Sequence, residues 1–314
     1  MTPQDGSITF IANPKAGASA RKHLSQRFQA YLLDRGFKIH YHSTKTIREV
    51  KNKATLAACD DTCIAVVVAG GDGTIREAAH GLKGSPKPLL IVPSGTENLL
   101  ANELGFNEHL NTLIEAFESG TVRTLDLARI NGQYFTSVTG FGFDAEVIER
   151  LAAQRHGHID YFDYFDPLWQ TFWMHRFPTL EIAIDGHEVF HGKGLALVGN
   201  VSRYAIGLEI LHNADPGDGL LDVCIYRCSN RLHLMKHALL TIFKKHTRRP
   251  DVMYRQGRTI TVNSNQSDVK TEVDGDPGPA LPVEIHVVAQ AIRVMVPPNA
   301  KPAGLRTRFI RAIG

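Results

Sequence analysis

The feature that most constrains the fold is the junction at residues 64–74, where the apolar run Ile-Ala-Val-Val-Val-Ala is followed by Gly-Gly-Asp-Gly-Thr. The run has the length and β-branched content of a buried strand, and the apolar residues of 74–82 are spaced as on one face of a helix. The glycines predict a sharp turn whose bare backbone a ligand can approach. Such a junction directs backbone N–H groups at an anion, usually a phosphate.

Asp72, within this turn, is unexpected if the turn only binds phosphate, because like charges repel. Its carboxylate is suited to Mg²⁺, to handling a proton, or to bonding the N–H groups of its own turn. The structural alternative is that Asp72 or Thr74 caps the helix. The motifs described below favour the functional interpretation.

The chain has 314 residues, enough for two domains that each bury a core. Its net charge of +3 and the lack of a nucleic-acid-binding signature argue against a nucleic-acid partner. No segment approaches the run of about 20 apolar residues that spans a membrane. The four cysteines have neither zinc-finger spacing nor a signal peptide before them, which predicts reduced thiols in a cytoplasmic protein, at most peripheral at the inner face of the membrane.

The first 128 residues alternate predicted strands and helices, which indicates a mostly parallel sheet covered on both faces. Three polar, glycine-containing turns follow predicted strands, at residues 13–17, 70–74 and 93–96. Because ligands of such sheets bind at the carboxyl ends of the strands, we expect the three turns to line one crevice.

After Asp126 the pattern changes to short strands. Residues 123–130 and 133–139 read as two strands joined by Asn131-Gly132, a strong hairpin signal. Further predicted strands are interrupted by helical stretches near 144–176 and 230–246, a profile typical of an antiparallel β-sandwich. We therefore predict an α/β domain over 1–128 plus 298–314 and an all-β domain over 129–297. An exposed edge of the sandwich could support a homodimer.

Six motifs occur in order along the chain: Asn13-Pro14-Lys15-Ala16-Gly17, Gly70-Gly71-Asp72-Gly73-Thr74, Pro93-Ser94-Gly95-Thr96-Glu97-Asn98, Phe141-Gly142-Phe143-Asp144-Ala145, Asp218-Gly219-Leu220-Leu221-Asp222 and Asp274-Gly275-Asp276-Pro277. Through them the chain resembles the diacylglycerol kinase catalytic-domain family, which includes bacterial lipid kinases and sphingosine kinases. The resemblance implies a Rossmann-like domain of the NAD-kinase and phosphofructokinase type, followed by a β-sandwich. It also implies transfer of the γ-phosphoryl group of ATP to the hydroxyl of a lipid, such as diacylglycerol, presented at a membrane surface.

The resemblance also implies roles for individual residues. It implies nucleotide contacts from ten positions: Asn13, Lys15, Gly17, Thr44, Gly70, Gly71, Asp72, Gly73, Thr74 and Thr96. It implies a Mg²⁺ site formed by Asp218 with the carbonyls of Leu220 and Asp215, and a carboxylate of Asp274-Gly275-Asp276 as the proton acceptor. Asp72 and Asp126 are further hard oxygen ligands of the kind that Mg²⁺ prefers.

Structural alternatives stay open for several of these acids. Asp274-Gly275 between strands is a common hairpin turn, Asp218-Gly219 is also a turn, and Asp126 could simply bond backbone groups at the domain junction.

Two positions depart from the family pattern. Leu99 stands where the family usually has Asp, with Glu97 or Glu103 as substitutes, and Asp276 stands in place of Glu. Two alternative functions stay open: a NAD-kinase-like or other Gly-Gly-Asp-Gly kinase, and a nucleotide-binding regulator that has lost catalytic activity.

Two segments bear on lipid contact. Residues 161–177 hold eight aromatic side chains, which indicates either a helix packed on the sandwich or an apolar wall for an acyl chain. Residues 232–249 are amphipathic and end in a basic cluster. This pattern is typical of a solvated helix end, and it also suits anionic lipid head groups.

Overall fold

The computed structural model describes residues 2, 6–14, 19–154, 161–205, 207–298 and 300. Its helices are α1 (Ser19–Asp34), α2 (Ile47–Cys59), α3 (Asp72–Leu82), α4 (Leu99–Glu103), α5 (Leu110–Ser119), α6 (Phe143–Gln154), α7 (Phe165–Met174) and α8 (Arg231–Ile242). Its strands are β1 (Ser7–Ala12), β2 (Lys38–Ser43), β3 (Cys63–Gly70), β4 (Leu89–Pro93), β5 (Val122–Ile130), β6 (Gln133–Phe135), β7 (Val138–Phe141), β8 (Thr179–Ile184), β9 (His187–Gly199), β10 (Leu221–Arg227), β11 (Val252–Gly257), β12 (Thr259–Asn263), β13 (Thr271–Val273), β14 (Asp276–Pro277) and β15 (Val283–Met295). The predicted site residues Lys15 and Gly17, and the terminal segment 301–314, lie outside the described residues.

Four parallel strands form the first part of the sheet, in the order β2-β1-β3-β4. Every residue of β1 is buried, as is every residue of β3 except Ile64, so both faces of these strands are covered. This explains why the sequence of β3 is apolar throughout and does not alternate. Helices α2 and α3 contact each other, and so do α1 and α5.

One long strand, β15, joins the two halves of the molecule. Near its start it pairs with β12, and near its end Val294 lies parallel to Leu89 of β4. It pairs with β5 on both sides of an irregularity between Val288 and Ile292. The sequence pattern predicts two strands here, over 283–288 and 291–296, and the structure shows a single interrupted one. The division into domains at 128/129 and 297/298 stays a prediction. Ile292 and Val294, which it assigns to the second domain, belong to the same buried cluster as the first sheet.

The second half consists mainly of antiparallel strands. The predicted hairpin at Asn131-Gly132 is confirmed, with φ of 42° and 90° at its two turn residues and Ile130 paired to Gln133. Strand β9 belongs to two layers of this half. Its first part pairs with β8 in one layer, and its last part pairs with β7 and β10 in the other. A separate apolar cluster fills the space between these layers. Within the described part of the chain, no helix has the length and apolar character needed to cross a bilayer.

The glycines after β3 serve close packing. The predicted sharp turn is present, because β3 ends at Gly70 and α3 begins at Asp72, but none of Gly70, Gly71 and Gly73 has a positive φ. A Cβ on Gly70 would lie 2.4 Å from Cβ of Thr74, and a Cβ on Gly95 would lie 2.5 Å from Cα of Gly71. The loops after β3 and β4 therefore touch through bare backbone, and any side chain there would force them apart.

This contact predicts the effect of two alanine substitutions. In Gly95→Ala the new methyl group meets backbone that cannot rotate away, so we expect the free energy of unfolding to fall by about 2–4 kcal/mol. In Gly73→Ala the nearest atom to the new Cβ is 3.7 Å away. Since residue 73 lies in α3, that change should leave stability unchanged or raise it by about 0.5–1 kcal/mol. Urea denaturation of both variants tests this, and equal losses would contradict the packing argument.

Candidate active site

The carboxyl ends of the parallel strands bring three predicted turns together. Asn13 follows β1, and its side-chain amide donates to Oγ1 of Thr74, 3.3 Å away, in the turn after β3. The same turn touches the loop after β4 through Gly71 and Gly95. Thr44, which follows β2, is buried and donates through its hydroxyl to the Ala12 carbonyl at 3.2 Å. These residues thus lie at the ends of adjacent strands, where the sequence predicts the crevice.

Asp72 is the first residue of α3, but it does not cap that helix. Its Oδ1 accepts a hydrogen bond of 2.7 Å from the backbone N–H of Leu99, at the start of α4, so the capping alternative is wrong. Burial, and next the charge of Asp274, raise the pKa of Asp72 to about 7. The backbone of Leu99 makes this contact whatever its side chain is.

The two acids considered as substitutes at position 99 differ in location. Glu103 accepts hydrogen bonds from the backbone N–H and the hydroxyl of Ser202, at 3.0 and 2.5 Å, so it ties α4 to the second half of the chain. Glu97 is close enough to add to the raised pKa of Asp72. Of the two, only Glu97 acts on Asp72.

Asp274 and Gly275 form the turn of a tight hairpin between β13 and β14, with φ of 49° and 79°. The Asp274 side chain is buried. Oδ1 accepts from the N–H groups of Ser137 and Val138 at 2.9 and 3.2 Å, and Oδ2 accepts from the N–H and hydroxyl of Thr136 at 2.9 and 3.2 Å. Asp274 therefore holds the β6–β7 connection in place, which favours the structural alternative for this residue.

The sequence interpretation missed Arg76, which connects the two motifs. It lies on α3, its side chain is 3% exposed, and it donates to Oδ2 of Asp276 at 3.0 Å and to the carbonyl of Val273 at 3.2 Å. Its Nε lies 3.5 Å from Glu77. The side chain of Asp276 is 39% exposed, and its Oδ2 lies 3.7 Å from where a Cβ on Gly73 would be. The helix after the glycine turn and the Asp-Gly-Asp hairpin are therefore in direct contact.

The sequence pattern marks Asp144 only as part of a motif, and its pairing with a second acid, Glu272, was missed. Glu272, on β13, is fully buried, and its Oε2 accepts from the Gly275 N–H at 2.9 Å. A Cβ on Gly140 would lie 1.7 Å from Oδ2 of Asp144 and 3.1 Å from Oε1 of Glu272, so both carboxylates crowd the same glycine. Burial raises the pKa of Asp144 to about 7, and burial followed by the charge of Asp144 raises that of Glu272.

The predicted Mg²⁺ residues lie around the loop before β10. Asp126 accepts hydrogen bonds from the N–H groups of Gly219 and Gln290, both at 2.7 Å. It therefore bonds backbone groups, as the structural alternative for this residue predicts. Asp215 accepts from Arg123 at 3.0 Å, and Asp218 accepts from the N–H of Leu220 at 3.0 Å. Burial, then the charges of Asp215 and Asp126, raise the pKa of Asp218 to about 6.

This loop fits a cation only in part. A bound cation would offset both the burial and the neighbouring charges that raise the pKa of Asp218, and carboxylates with backbone carbonyls are the donors that Mg²⁺ prefers. However, among the residues that the structure describes, no three His, Cys, Asp or Glu side chains converge as a metal site. A Mg²⁺ ion here would depend on the carbonyls of Asp215 and Leu220.

Two family models match the chain. The diacylglycerol kinase catalytic domain matches residues 7–130, and the YegS C-terminal NAD kinase beta sandwich-like domain matches residues 137–296. These matches confirm both the resemblance and the fold class predicted from the sequence.

Individual relatives agree with the family models. The chain is 31% identical to a diacylglycerol kinase of Mycobacterium tuberculosis over 302 residues, covering 93% of this chain and 96% of that protein. It is 26% identical to a diacylglycerol kinase of Bacillus subtilis, covering 92% and 95%. A crystal structure of a diacylglycerol kinase from Bacillus anthracis superposes with a TM-score of 0.70 at 20% identity, covering 94% of this chain and 98% of that one, which shows the same fold.

The two acids of the hairpin should respond differently to amidation. Asp274→Asn places an NH₂ group where a carboxylate oxygen accepts N–H bonds, so buried donors lose their partner. We expect the free energy of unfolding to fall by about 2–4 kcal/mol. Asp276→Asn is the matched control. The Asp276 side chain is partly exposed, and Arg76 retains Glu77 and the Val273 carbonyl as partners. We therefore expect the free energy of unfolding to fall by only about 1 kcal/mol. Equal losses in urea denaturation would contradict the structural role of Asp274.

Proposed function

The chain belongs to the diacylglycerol kinase catalytic-domain family, and from this premise we propose that it is an ATP-dependent lipid kinase. In this proposal the γ-phosphoryl group of ATP is transferred to the hydroxyl of a lipid of the diacylglycerol type. The lipid is presented at a membrane surface. The active site is the crevice between the proposed nucleotide-binding domain, residues 1–128 with 298–314, and the proposed lipid-substrate domain, residues 129–297.

The observation that carries the proposal is the contact of Arg76 with Asp276, 3.0 Å long. It joins a glycine turn suited to phosphate with a carboxylate suited to accept a proton, although 200 residues separate the two in sequence. Phosphoryl transfer depends mainly on positioning and charge neutralisation, so two such groups held side by side are the main requirement.

Asp276 is the proton acceptor in this proposal, and Asp274 is its support. Asp274 has both oxygens bonded to the β6–β7 connection, whereas the side chain of Asp276 is 39% exposed beside Gly73. A positioned carboxylate that takes the proton of an attacking hydroxyl accelerates the reaction typically by about 10²–10⁴-fold.

The phosphates of ATP bind at the strand ends. Asn13, Thr44, the turn 70–74 and Thr96 supply amide, hydroxyl and backbone N–H donors, and the N-terminus of α3 adds its positive dipole. Lys15 and Gly17 complete the proposed set from their motif, outside the described residues. Mg²⁺, when bound, would neutralise part of the charge on the phosphates. Its proposed ligands are Asp72 near the phosphates, and Asp218 with the Asp215 and Leu220 carbonyls, where Asp126 holds the loop.

The purified protein tests the proposal directly. With Mg²⁺ and ATP labelled at the γ-phosphate, we expect label to appear in a diacylglycerol presented in mixed micelles. Asp276→Asn should reduce kcat by about 10²–10⁴-fold, while circular dichroism and the urea midpoint show that the variant is folded.

Each alternative has its own outcome in that assay. Label in NAD with none in any lipid would favour a NAD-kinase-like activity. ATP binding without turnover of either acceptor would favour a regulator. Either result would overturn the proposed function.

The raised pKa of Asp72 predicts a pH-dependent effect on stability. The folded value is about 7 and the unfolded value about 3.9, so burying the charged form of Asp72 destabilises the fold, and this loss of stability grows as the pH rises from about 4 to about 7. Asp72→Asn stays neutral. Its stability relative to the native chain should therefore increase by about 2–3 kcal/mol between pH 5 and pH 8. Urea denaturation at both pH values measures this, and a difference that is constant with pH would contradict it.

A further inference from the structure

Helix α8 has its apolar face turned towards solvent. Five large apolar residues, spaced along one side of the helix and at its end, are between 47% and 73% exposed: Leu232, Met235, Leu239, Ile242 and Phe243. The buried side carries one leucine, Leu234, and two polar residues, His237 and Thr241. His237 contacts the Arg227 carbonyl at 3.0 Å, and the Thr241 hydroxyl lies 3.0 Å from that of Tyr226. A solvated helix normally shows the opposite arrangement, so this face is suited to an apolar environment.

The exposed surface of α7 adjoins that of α8. Arg231, at the start of α8, donates to the carbonyls of Phe172 and Trp173, and its guanidinium lies 5.6 Å from the centre of the Trp173 ring. Trp169 and Trp173 stack edge to face at 5.7 Å and are 55% and 51% exposed. Indole rings at a polar–apolar boundary are typical of proteins that contact the surface of a bilayer. Only part of α7 is buried, so packing against the rest of the protein accounts for one side of this helix.

Cations follow the apolar face directly. Lys244, Lys245, Arg248 and Arg249 are exposed in the segment after Phe243. Lys244 pairs with Glu209 at 2.9 Å, and Arg249 lies 3.6 Å from Asp251. Lys245 and Arg248 have no ion-pair partner among the described residues, so the cluster keeps a net positive charge. Besides Glu209 and Asp251, two further acids, Asp163 and Asp166, lie near the start of α7.

We propose that the exposed faces of α7 and α8, with the basic segment 244–249, form a docking surface for a bilayer of anionic lipids. The apolar side chains would enter the boundary between head groups and acyl chains, while the cations meet the phosphates. This inference deepens the proposed function and rests on it for the need to reach a lipid in a membrane. The choice of occupant follows from charge: a second copy would bring the same basic segment to the contact, whereas an anionic surface complements it.

The docking surface is connected to the candidate active site. Helix α6 contacts both α7 and β14, the strand that carries Asp276. Glu146 of α6 accepts from His175, just after α7, at 2.8 Å, and the rings of Phe143 and His175 are 5.5 Å apart. A bilayer on the α7–α8 surface would thus lie beside the helix that borders the hairpin, where the acceptor hydroxyl has to arrive.

Sedimentation with vesicles tests the surface without relying on activity. The full-length protein should bind vesicles of phosphatidylglycerol mixed with phosphatidylcholine, and bind vesicles of phosphatidylcholine alone much more weakly. Leu239→Glu with Phe243→Glu should weaken binding at least tenfold, because two inserted apolar groups are replaced by anions. Lys245→Gln with Arg248→Gln should weaken it roughly tenfold, and only for the anionic vesicles.

Matched controls lie on the first half of the chain. Leu56 on α2 is 64% exposed, so Leu56→Glu makes a comparable change at a distant site and should leave vesicle binding unchanged. Lys38→Gln with Arg48→Gln serves the same purpose for charge. Phosphorylation of a water-soluble short-chain diacylglycerol should be unaffected by all these substitutions. That readout separates a failure of docking from a failure of the proposed activity.

Two results would overturn the inference. One is vesicle binding by the Leu239→Glu, Phe243→Glu variant equal to that of the native chain. The other is a native dimer in analytical ultracentrifugation that this variant dissociates while vesicle binding stays unchanged, since that would assign the face to a second copy.

Discussion

The buried guanidinium of Arg76 is the interaction on which the rest of the site depends. A charged group that is 3% exposed is stable only when its partners are in place, and here they are Asp276, Glu77 and the Val273 carbonyl. Arg76 belongs to the helix after the glycine turn, and two of these three partners belong to the Asp-Gly-Asp hairpin. Separating the two elements would leave a buried cation without compensation. The contact therefore fixes the distance between the proposed phosphate site and the proposed proton acceptor.

The acids around this contact divide into groups that hold structure and groups that are accessible to substrate. Asp274 and Asp126 accept backbone N–H bonds from segments far away in the sequence, and Glu272 accepts one within its own hairpin, so all three hold loops in place. Asp72 bonds the backbone of Leu99, so the departure from the family pattern at that position leaves its anchoring intact. Asp276 is the partly exposed member of the hairpin, which is why we assign the chemistry to it.

Local patterns in the sequence predicted much of the fold. The strand–turn–helix unit at 64–82 and the hairpin at Asn131-Gly132 follow from spacing and turn chemistry alone, and both are present. The sequence pattern marks no strand over 252–257, where the structure has β11, because the central residues of this strand are partly polar. Strand β15 was read as two strands because an irregularity near Gln290 breaks the alternation of its side chains.

The candidate site was predictable where motifs mark it and not where it depends on contacts between distant segments. Arg76 lies between helix-face residues and looks like an ordinary surface cation until β13 and β14 are packed against α3. Glu272 and Asp144 likewise come together only through the pairing of β7 with β13. The glycines show the same limit: their positions were informative, but the reason for them is the contact of Gly71 with Gly95.

The most direct test of the central claim is a double-mutant cycle between Arg76 and Asp276, read out as kcat for phosphorylation of diacylglycerol. If Arg76→Gln and Asp276→Asn disable one shared arrangement, the double variant should lose far less activity than the product of the two single losses, a coupling of about 1–3 kcal/mol. Losses that simply multiply would show that the two residues act independently, and would contradict the account.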